Sequence, residues 1–305
     1  MRYWWKIALE LKLRKCGGDA FQDFFSILMT KRYGSDFVRV RAYGVLGDKG
    51  CDGYLQSTGK VFQCYGALNG NSGKVKYLIE KMGTDYNTAL TKILSIMREW
   101  HMVHNLVGGL PIEAVEELKK LKSINDSVQL GFMGLEAFED ILFALNDIDI
   151  EELLGAVAVS EDISNLQTSE LRDLIRNVAV LADFTPVELK IIRPVPVQKL
   201  EFNELPGHWK SFIAGGWQNA HLVSTYIQNH HDPLVGEKIA QTFNGKYVYL
   251  KNQNILPGSI MSSLYEAIAG NGVVSIPRQV AAQSLLAYLF ESCDIFEDQS
   301  LKVIM

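Results

Sequence analysis

Two neighbouring stretches of the chain, which read GDKGCDGY and VFQCY, contain the residue types that a divalent cation prefers. Such an ion needs oxygen ligands from different backbone segments within about 2–2.6 Å of one point. Asp52 would supply a carboxylate, Gln63 an amide oxygen and Cys64 a backbone carbonyl, with Asp48 as a further ligand. We therefore predict a Mg²⁺ or Mn²⁺ site, whose ion would polarise a phosphate and lower the pKa of an attacking water.

The elements that must position these residues follow from the spacing of apolar side chains. Apolar and basic residues alternate over residues 37–43, which is typical of a half-buried strand. The predicted order is a helix over 18–33 with Asp19 as its N-cap, strands over 37–43, 51–56 and 60–65, a helix over 74–99 and a strand over 100–105. A strand-helix-strand passage of this length usually forms a parallel crossover. The glycine-rich turn alone is also compatible with an ordinary β-turn, but its pairing with Gln63 on the next strand favours the metal site.

The pattern GDxGxDG, followed after a short hairpin by two apolar residues and Gln, resembles the PD-(D/E)XK nuclease superfamily, nearest to its Mrr-like branch. The resemblance implies a restriction-endonuclease-like α-β-β-β-α-β core with Asp52 as the strand-borne metal ligand and Gln63 as its partner. It also implies a helix-borne acid. The matching place reads FQ at residues 21–22, with Asp19, Asp23 and Glu10 nearby, and the sequence does not choose among them.

One residue departs from the nuclease motif. The family has a lysine two positions after the Gln, where this chain has Tyr65, and tyrosine has no positive charge near neutral pH. Three interpretations follow: a lysine from elsewhere completes the site, Tyr65 itself positions water, or the fold is kept for binding alone. The candidate replacement lysines are Lys60, Lys74, Lys76 and Lys81.

Charge is distributed unevenly along the chain. Residues 1–100 contain sixteen Lys and Arg against nine Asp and Glu, whereas residues 101–305 contain fourteen against twenty-six. A basic first third is compatible with a surface that faces a polyanion, although charge also varies along chains without a function. We expect five basic residues to contact DNA phosphates: Arg39, Arg41, Lys49, Lys74 and Lys76. A solvated edge strand is the competing interpretation for the two arginines.

The second part of the chain resembles effectors of ABC three-component, or Lamassu-type, anti-phage defence systems. The resemblance is carried by VQKLEFN at residues 197–203 and YLFESCDIFE at residues 288–297. It implies a helical docking and oligomerisation domain, an SMC-like ATPase and a third small subunit as partners, and activation after foreign DNA is sensed. Because prolines interrupt residues 183–197, we predict a nuclease domain over 1–185 and a mostly helical domain over 186–305.

Composition limits the remaining function classes. The 305 residues are 48% hydrophobic and 21% charged, which is typical of a globular protein that contains one or two domains. The four cysteines lack zinc-finger spacing and no long apolar run occurs, so we expect a cytoplasmic protein without a membrane span. The leading hypothesis is a Mg²⁺-dependent DNA endonuclease that forms homo-oligomers on activation. The alternative is a catalytically inactive nuclease-fold subunit that binds DNA or partner proteins.

Overall fold

The computed structural model describes residues 2–41, 48–68, 75–179, 198–292 and 295–297. The chain divides into two compact units, one formed by Ala8–Leu154 and the other by Met1–Ile7 together with Gly155–Met305. The boundary that the sequence predicts at residue 185 lies outside the described residues. The observed division falls earlier because α7 (Ser160–Ser164) and α8 (Thr168–Ala179) pack against helices that follow them in the chain.

The Ala8–Leu154 unit, here called the sheet unit, is a mixed α/β structure. Its elements follow α1 (Arg2–Lys15), which begins in the other unit: α2 (Gly18–Tyr33), β1 (Phe37–Arg39), β2 (Gly53–Leu55), β3 (Lys60–Tyr65), α3 (Val75–Ile93), β4 (Glu99–His104), α4 (Ile112–Lys122), β5 (Gln129–Met133), α5 (Leu135–Leu142) and α6 (Asp147–Leu154). The predicted order of helix, three strands, helix and strand is therefore confirmed. The first strand ends at Arg39, so the part of its prediction over residues 40–41 is wrong, and residues 42–47 lie outside the described residues.

The five strands form one sheet in the order β1-β2-β3-β4-β5. The β1, β2 and β3 strands pair antiparallel, and β3, β4 and β5 pair parallel. The predicted parallel crossover through α3 is confirmed, because Val61 pairs with Trp100 and Cys64 pairs with Val103. Parallel strands need helical connections that cover the sheet, which explains why α3 and α4 follow β3 and β4.

Apolar side chains cover both faces of this sheet. On one face, Val61, Tyr65, Trp100 and Met102 pack with buried residues of α3 and α4. On the other face, Phe25 of α2 contacts the rings of Phe37, Phe62 and Phe138. Successive strand residues point to opposite faces, so the alternation in β3 assigns Gln63 to the α3 face and Lys60 to the α2 face.

One buried amide joins three segments of the sheet unit. Asn105, which follows β4, is 1% exposed. Its Nδ2 donates to the carbonyl oxygens of Leu13, Cys16 and Ala67 at 3.0, 2.6 and 2.9 Å. Its Oδ1 accepts from the Ala67 backbone N–H at 2.7 Å. Asn105 therefore fixes the chain just beyond β3 to the end of α1.

The second unit is here called the helical unit, because all the helices and strands described after residue 154 are helices. These are α7, α8, α9 (Gln198–Phe202), α10 (Gly207–Gln228), α11 (Val235–Asn252), α12 (Pro257–Ala269) and α13 (Ile276–Glu291). The mostly helical second part that the sequence predicts is confirmed. A Cβ at Gly216 would lie 2.6 Å from the Gln283 carbonyl oxygen, so glycine allows α10 to approach α13 closely. Residues 1–7 belong here because Trp4 contacts Phe212 and Tyr265.

Two local predictions differ from the structure. Asp19, expected as an N-cap, lies in the first turn of α2, whose N-cap is Gly17. The helix expected to extend to residue 99 ends at Ile93, because β4 already begins at Glu99. Among the described residues, no helix is long and apolar enough to cross a membrane.

Candidate metal-binding site around Asp52

Asp52 is a buried carboxylate held by two hydrogen bonds from different elements. It immediately precedes β2 and is 6% exposed. Its Oδ2 accepts from the Cys64 backbone N–H at 2.7 Å, and its own N–H donates to the Phe62 carbonyl at 2.7 Å. Its Oδ1 accepts from Nε2 of Gln22 on α2 at 2.5 Å. Asp52 thus contacts the residues on both sides of Gln63.

The surroundings of Asp52 favour its protonated form. Burial raises the pKa of the carboxyl from its usual 3.8 to about 6. The Cys64 N–H and the positive charge of Lys81 lower the pKa, while the negative charges of Asp48 and Asp85 raise it. A buried carboxylate among acids is a site whose charged form a cation would stabilise.

Gln63 on β3 carries an amide oxygen without a partner. The side chain is 2% exposed, and its Oε1 is buried with no hydrogen-bond partner among the described residues. Burying an amide oxygen without a partner costs free energy. An orphaned oxygen on the residue between Phe62 and Cys64, whose backbone groups Asp52 contacts, is a group that a cation could satisfy.

Of the candidate replacement lysines, the structure brings Lys81 to the site. Lys81 lies on α3 and its charge acts on the Asp52 carboxyl. Its Nζ forms an ion pair with Asp85 Oδ2 at 2.7 Å, and both side chains are largely buried. Burial alone would lower the pKa of Lys81, but the hydrogen bond to Asp85 and the charges of Asp85 and Asp52 raise it, so the ammonium stays charged.

The other candidate lysines are placed differently. Lys60 forms an ion pair with Glu99 at 2.8 Å, on the sheet face opposite to Gln63. Lys76 is exposed, with Glu80 at 3.8 Å, and Lys74 lies outside the described residues. Tyr65 is buried and its pKa is raised by that burial, so the hydroxyl is neutral.

Two thiols lie beside the site. Burial raises the pKa of Cys51 to about 12 and that of Cys64 well above its ordinary value. Both are free, as is Cys16. The thiols are therefore protonated near neutral pH and pack as small apolar residues.

The turn before Asp52 is fixed against α3. Asp48 Oδ1 accepts from the Gly50 N–H at 2.9 Å, and the Gly50 carbonyl accepts from Trp100 Nε1 at 3.4 Å. Gly50 has φ of +72°, a conformation that favours glycine. A Cβ there would lie 2.2 Å from the backbone oxygen of Asp85.

We expect Gly50→Ala to destabilise the sheet unit by about 2 kcal/mol, because the residue would be strained and would push the turn away from α3. Hydrogen–deuterium exchange of peptides from β2 and β3 measures the effect. Gly83→Ala on α3 is the control, since the nearest atom to a Cβ at Gly83 lies 3.8 Å away. Equal protection of the two variants would show that the close approach of Gly50 to Asp85 is unimportant.

Two of the predicted DNA contacts are occupied by an acid of this chain. Asp23 on α2 forms ion pairs with Arg39 and with Arg41, the latter at 2.9 Å. Lys49 is exposed and has a positive φ of 58°. Asp23 follows Gln22 directly, so adjacent residues of α2 contact the Asp52 carboxylate and the two arginines.

The sequence did not predict the contacts of two members of this cluster. Gln22 occupies the place at which the nuclease resemblance implies an acid, and it is this amide that bonds to Asp52. Asp85 was detectable only as the residue four positions after Lys81 on an amphipathic helix.

The residues around Asp52 fit a divalent cation in part. Within the described residues, no group of three or more His, Cys, Asp and Glu side chains is arranged to hold a metal ion. The oxygens of Asp52 and Gln63 are hard ligands of the kind that Mg²⁺ and Mn²⁺ prefer. Gln22 must release Oδ1 for Asp52 to bind an ion through that atom.

Comparison with known proteins identifies the helical part of the chain. Residues 169–297 match the family model described as C-terminal domain 10 of the ABC-three component (ABC-3C) systems. The match covers less than half of the chain. Searches of curated proteins and of solved structures gave no match to the chain.

The two segments that suggested an ABC-three component protein contact each other in the helical unit. Lys199 is 1% exposed, and its Nζ donates to the carbonyls of Phe290 and Ile295 at 2.6 and 2.9 Å. Asn203 Nδ2 donates to the Glu297 carbonyl at 2.8 Å, and the Glu297 N–H donates to Asn203 Oδ1 at 3.0 Å. A buried ammonium is tolerated only with such partners. These polar residues therefore help to close the family's C-terminal domain.

Proposed function

We propose that this chain is the metal-dependent DNA endonuclease of an ABC-three component anti-phage defence system. The observation that carries the proposal is the placement of the Asp52 carboxylate just before β2, the orphaned Gln63 oxygen on β3 and the charged Lys81 on α3. The order of helices and strands in the sheet unit agrees with a restriction-endonuclease-like core. The match of residues 169–297 supports the defence system.

In this proposal, Asp52 and Gln63 hold the ion, together with the Cys64 carbonyl, and Asp48 adds negative charge beside them. The bound Mg²⁺ or Mn²⁺ supplies Lewis acidity toward the phosphate and lowers the pKa of water. Lys81 takes the place of the missing lysine and offsets the charge that develops on the phosphate. Asp85 positions the Lys81 ammonium through their 2.7 Å contact. The proposed partners are DNA, an SMC-like ATPase, a third small subunit and further copies of this chain in the cytoplasm.

The hydrogen bonds of Asp52 and the position of Tyr65 favour a second function, which is binding without cleavage. Both Asp52 oxygens already accept hydrogen bonds, from Gln22 and from Cys64, and Tyr65 stands where the nuclease motif has lysine. These features suit an inactive nuclease fold that binds DNA or a partner protein.

Cleavage of supercoiled plasmid distinguishes the two functions. The chain is purified together with its partner subunits and assayed in Mg²⁺ or Mn²⁺ as wild type, Asp52→Asn and Lys81→Met. Metal-dependent cleavage that both substitutions abolish is the expected result. Cleavage by Asp52→Asn at the wild-type rate would refute the nuclease proposal. Plasmid binding without cleavage by the wild-type assembly would favour the inactive fold.

If Arg39 and Arg41 contact DNA, removing the charge of Asp23 should strengthen binding. We expect Asp23→Asn to lower the dissociation constant for duplex DNA by about threefold to tenfold and to steepen its salt dependence, because two guanidinium groups lose their acidic partner. Fluorescence anisotropy at several salt concentrations measures this. Asp19→Asn removes the same charge from the same helix and is the control. Equal gains in both variants would mean that only net charge matters.

A further inference from the structure

A cavity of about 310 Å³ opens to the surface of the helical unit. It is bounded by α8, the end of α10, the turn that follows it and the beginning of α11. Its lining is rich in cationic and aromatic side chains: Arg172, Arg176, Tyr226, His230, His231 and Lys238. Nothing in the proposed nuclease function uses this cavity.

The two arginines bring positive charge that the protein leaves largely uncompensated. Arg172 and Arg176 are one turn apart on α8, so they lie on the same side of the helix. The ion pair of Arg172 with Asp173 is loose at 3.7 Å, and both side chains are more than half exposed. Arg176 makes no hydrogen bond or ion pair with any residue that the structure describes. Each guanidinium group carries a planar set of donors that suits a phosphate, and two such groups line this cavity.

One acid, Asp232, lines the cavity, and two donors of the same unit stabilise its carboxylate. Asp232 accepts from Lys238 Nζ at 2.7 Å and from the Leu234 N–H at 3.0 Å. Its pKa is lowered, first by Lys238 and then by Leu234. Asp232 therefore offsets Lys238 and leaves the two arginines in excess.

This concentration of cations is local. Residues 169–297 contain ten Lys and Arg against twelve Asp and Glu, whereas the cavity is lined by three such cations against one acid. The excess of Arg and Lys at the cavity is therefore not what the composition of residues 169–297 would give.

Aromatic rings tilted against one another form a second wall of the cavity. The rings of His230 and His231 have centroids 4.2 Å apart and an interplanar angle of 36°. The ring of Tyr226 lies 5.7 Å from that of His230. Aromatic faces of this kind hold planar heterocycles by stacking.

We propose that this cavity binds a free nucleotide, with Arg172 and Arg176 holding its phosphate and the Tyr226–His230 wall contacting its base. The volume of about 310 Å³ is at the lower end for small-molecule sites, which is enough for one nucleotide. A nucleotide bound in the C-terminal domain would give this ABC-three component chain a ligand of its own, separate from Asp52.

Isothermal titration of the full chain with AMP, ATP and inorganic phosphate tests the proposal. We expect saturable binding of a nucleotide, weaker binding of phosphate alone, and a loss of about tenfold or more in nucleotide affinity for the Arg172→Gln, Arg176→Gln double variant. Tyr226→Leu should weaken nucleotide binding and leave phosphate binding unchanged. Lys210→Gln is the control, because Lys210 is a cation of the same unit that pairs with Glu201 outside the cavity.

Several results would overturn the assignment. One is the absence of saturable binding of either nucleotide at millimolar concentration. Another is equal binding by the double variant, whose fold is checked by its circular dichroism melt. A 5′-phosphorylated oligonucleotide that binds where AMP and ATP do not would assign the cavity to a nucleic-acid end instead. All these outcomes are independent of plasmid cleavage at Asp52.

Discussion

Asp52→Asn should abolish metal-dependent cleavage and, in metal-free buffer, make the sheet unit more stable. Cleavage is expected to fall by about 100-fold or more, because the negative charge that holds the cation is lost. Stability is expected to rise by about 2 kcal/mol at pH 8, because the ionised carboxylate is buried in the folded chain and the amide is neutral. The Asn oxygen can still accept from the Cys64 N–H, and the Gln22 amide can rotate to accept from Asn.

The stability gain should depend on pH with a defined sign. The folded chain takes up a proton at Asp52 near pH 6, whereas the unfolded chain does so near 3.8. Between these values the folded state binds more protons, so the wild type gains stability as the pH falls. The advantage of Asp52→Asn is therefore largest above pH 6 and disappears below about pH 4.

Hydrogen–deuterium exchange of β3 peptides across this pH range, with a chelator present, provides the measurement. Asp52→Ala is the matched variant, and it should destabilise the unit because the Cys64 N–H loses its partner. If Asp52→Asn is less stable than wild type at pH 8, the buried Asp52 carboxylate stabilises the folded chain, and the expectation is wrong.

Asn105→Leu should cause the largest loss of stability. The two side chains have the same branched arrangement of non-hydrogen atoms, but leucine cannot bond to the backbone groups of Leu13, Cys16 and Ala67 that Asn105 satisfies. Buried polar groups without partners cost about 1–3 kcal/mol each. We expect a total loss of about 4 kcal/mol in the sheet unit, with water entry limiting the effect.

Because the chain has two compact units, a single unfolding transition is not assumed. Urea-dependent proteolysis that follows peptides of β3 and β4 reports on the sheet unit. Asn87→Leu, at an exposed position of α3, is the control and should change stability little. A similar effect of both substitutions would show that the hydrogen bonds of Asn105 contribute nothing net.

The sequence predicted those parts of the fold that local pattern determines. The bounds of β3 and α2 were predicted as observed, because alternation or helical spacing ends at glycines there. The α1 helix was missed since Trp4, Trp5, Ile7 and Leu9 are all buried, and a helix buried on several sides shows no single apolar stripe.

The site was predicted only where the strands contribute to it. Asp52 and Gln63 were found because a hairpin brings adjacent strands together, which sequence spacing can reveal. The proximity of Lys81 depends on how α3 packs against the Gly50 turn, and the contact of Gln22 depends on the packing of α2. These are non-local contacts that leave no spacing pattern.

We propose that Asp52 and Gln63 hold a divalent cation. Mn²⁺ binding followed by electron paramagnetic resonance tests this directly. The purified chain is titrated as wild type, Asp52→Asn and Gln63→Leu, so partner subunits are not required. We expect saturable binding of Mn²⁺ by the wild type, loss of that binding in Asp52→Asn and weaker binding in Gln63→Leu. Mn²⁺ binding that is absent from the wild type, or equal in all three proteins, would contradict the proposal.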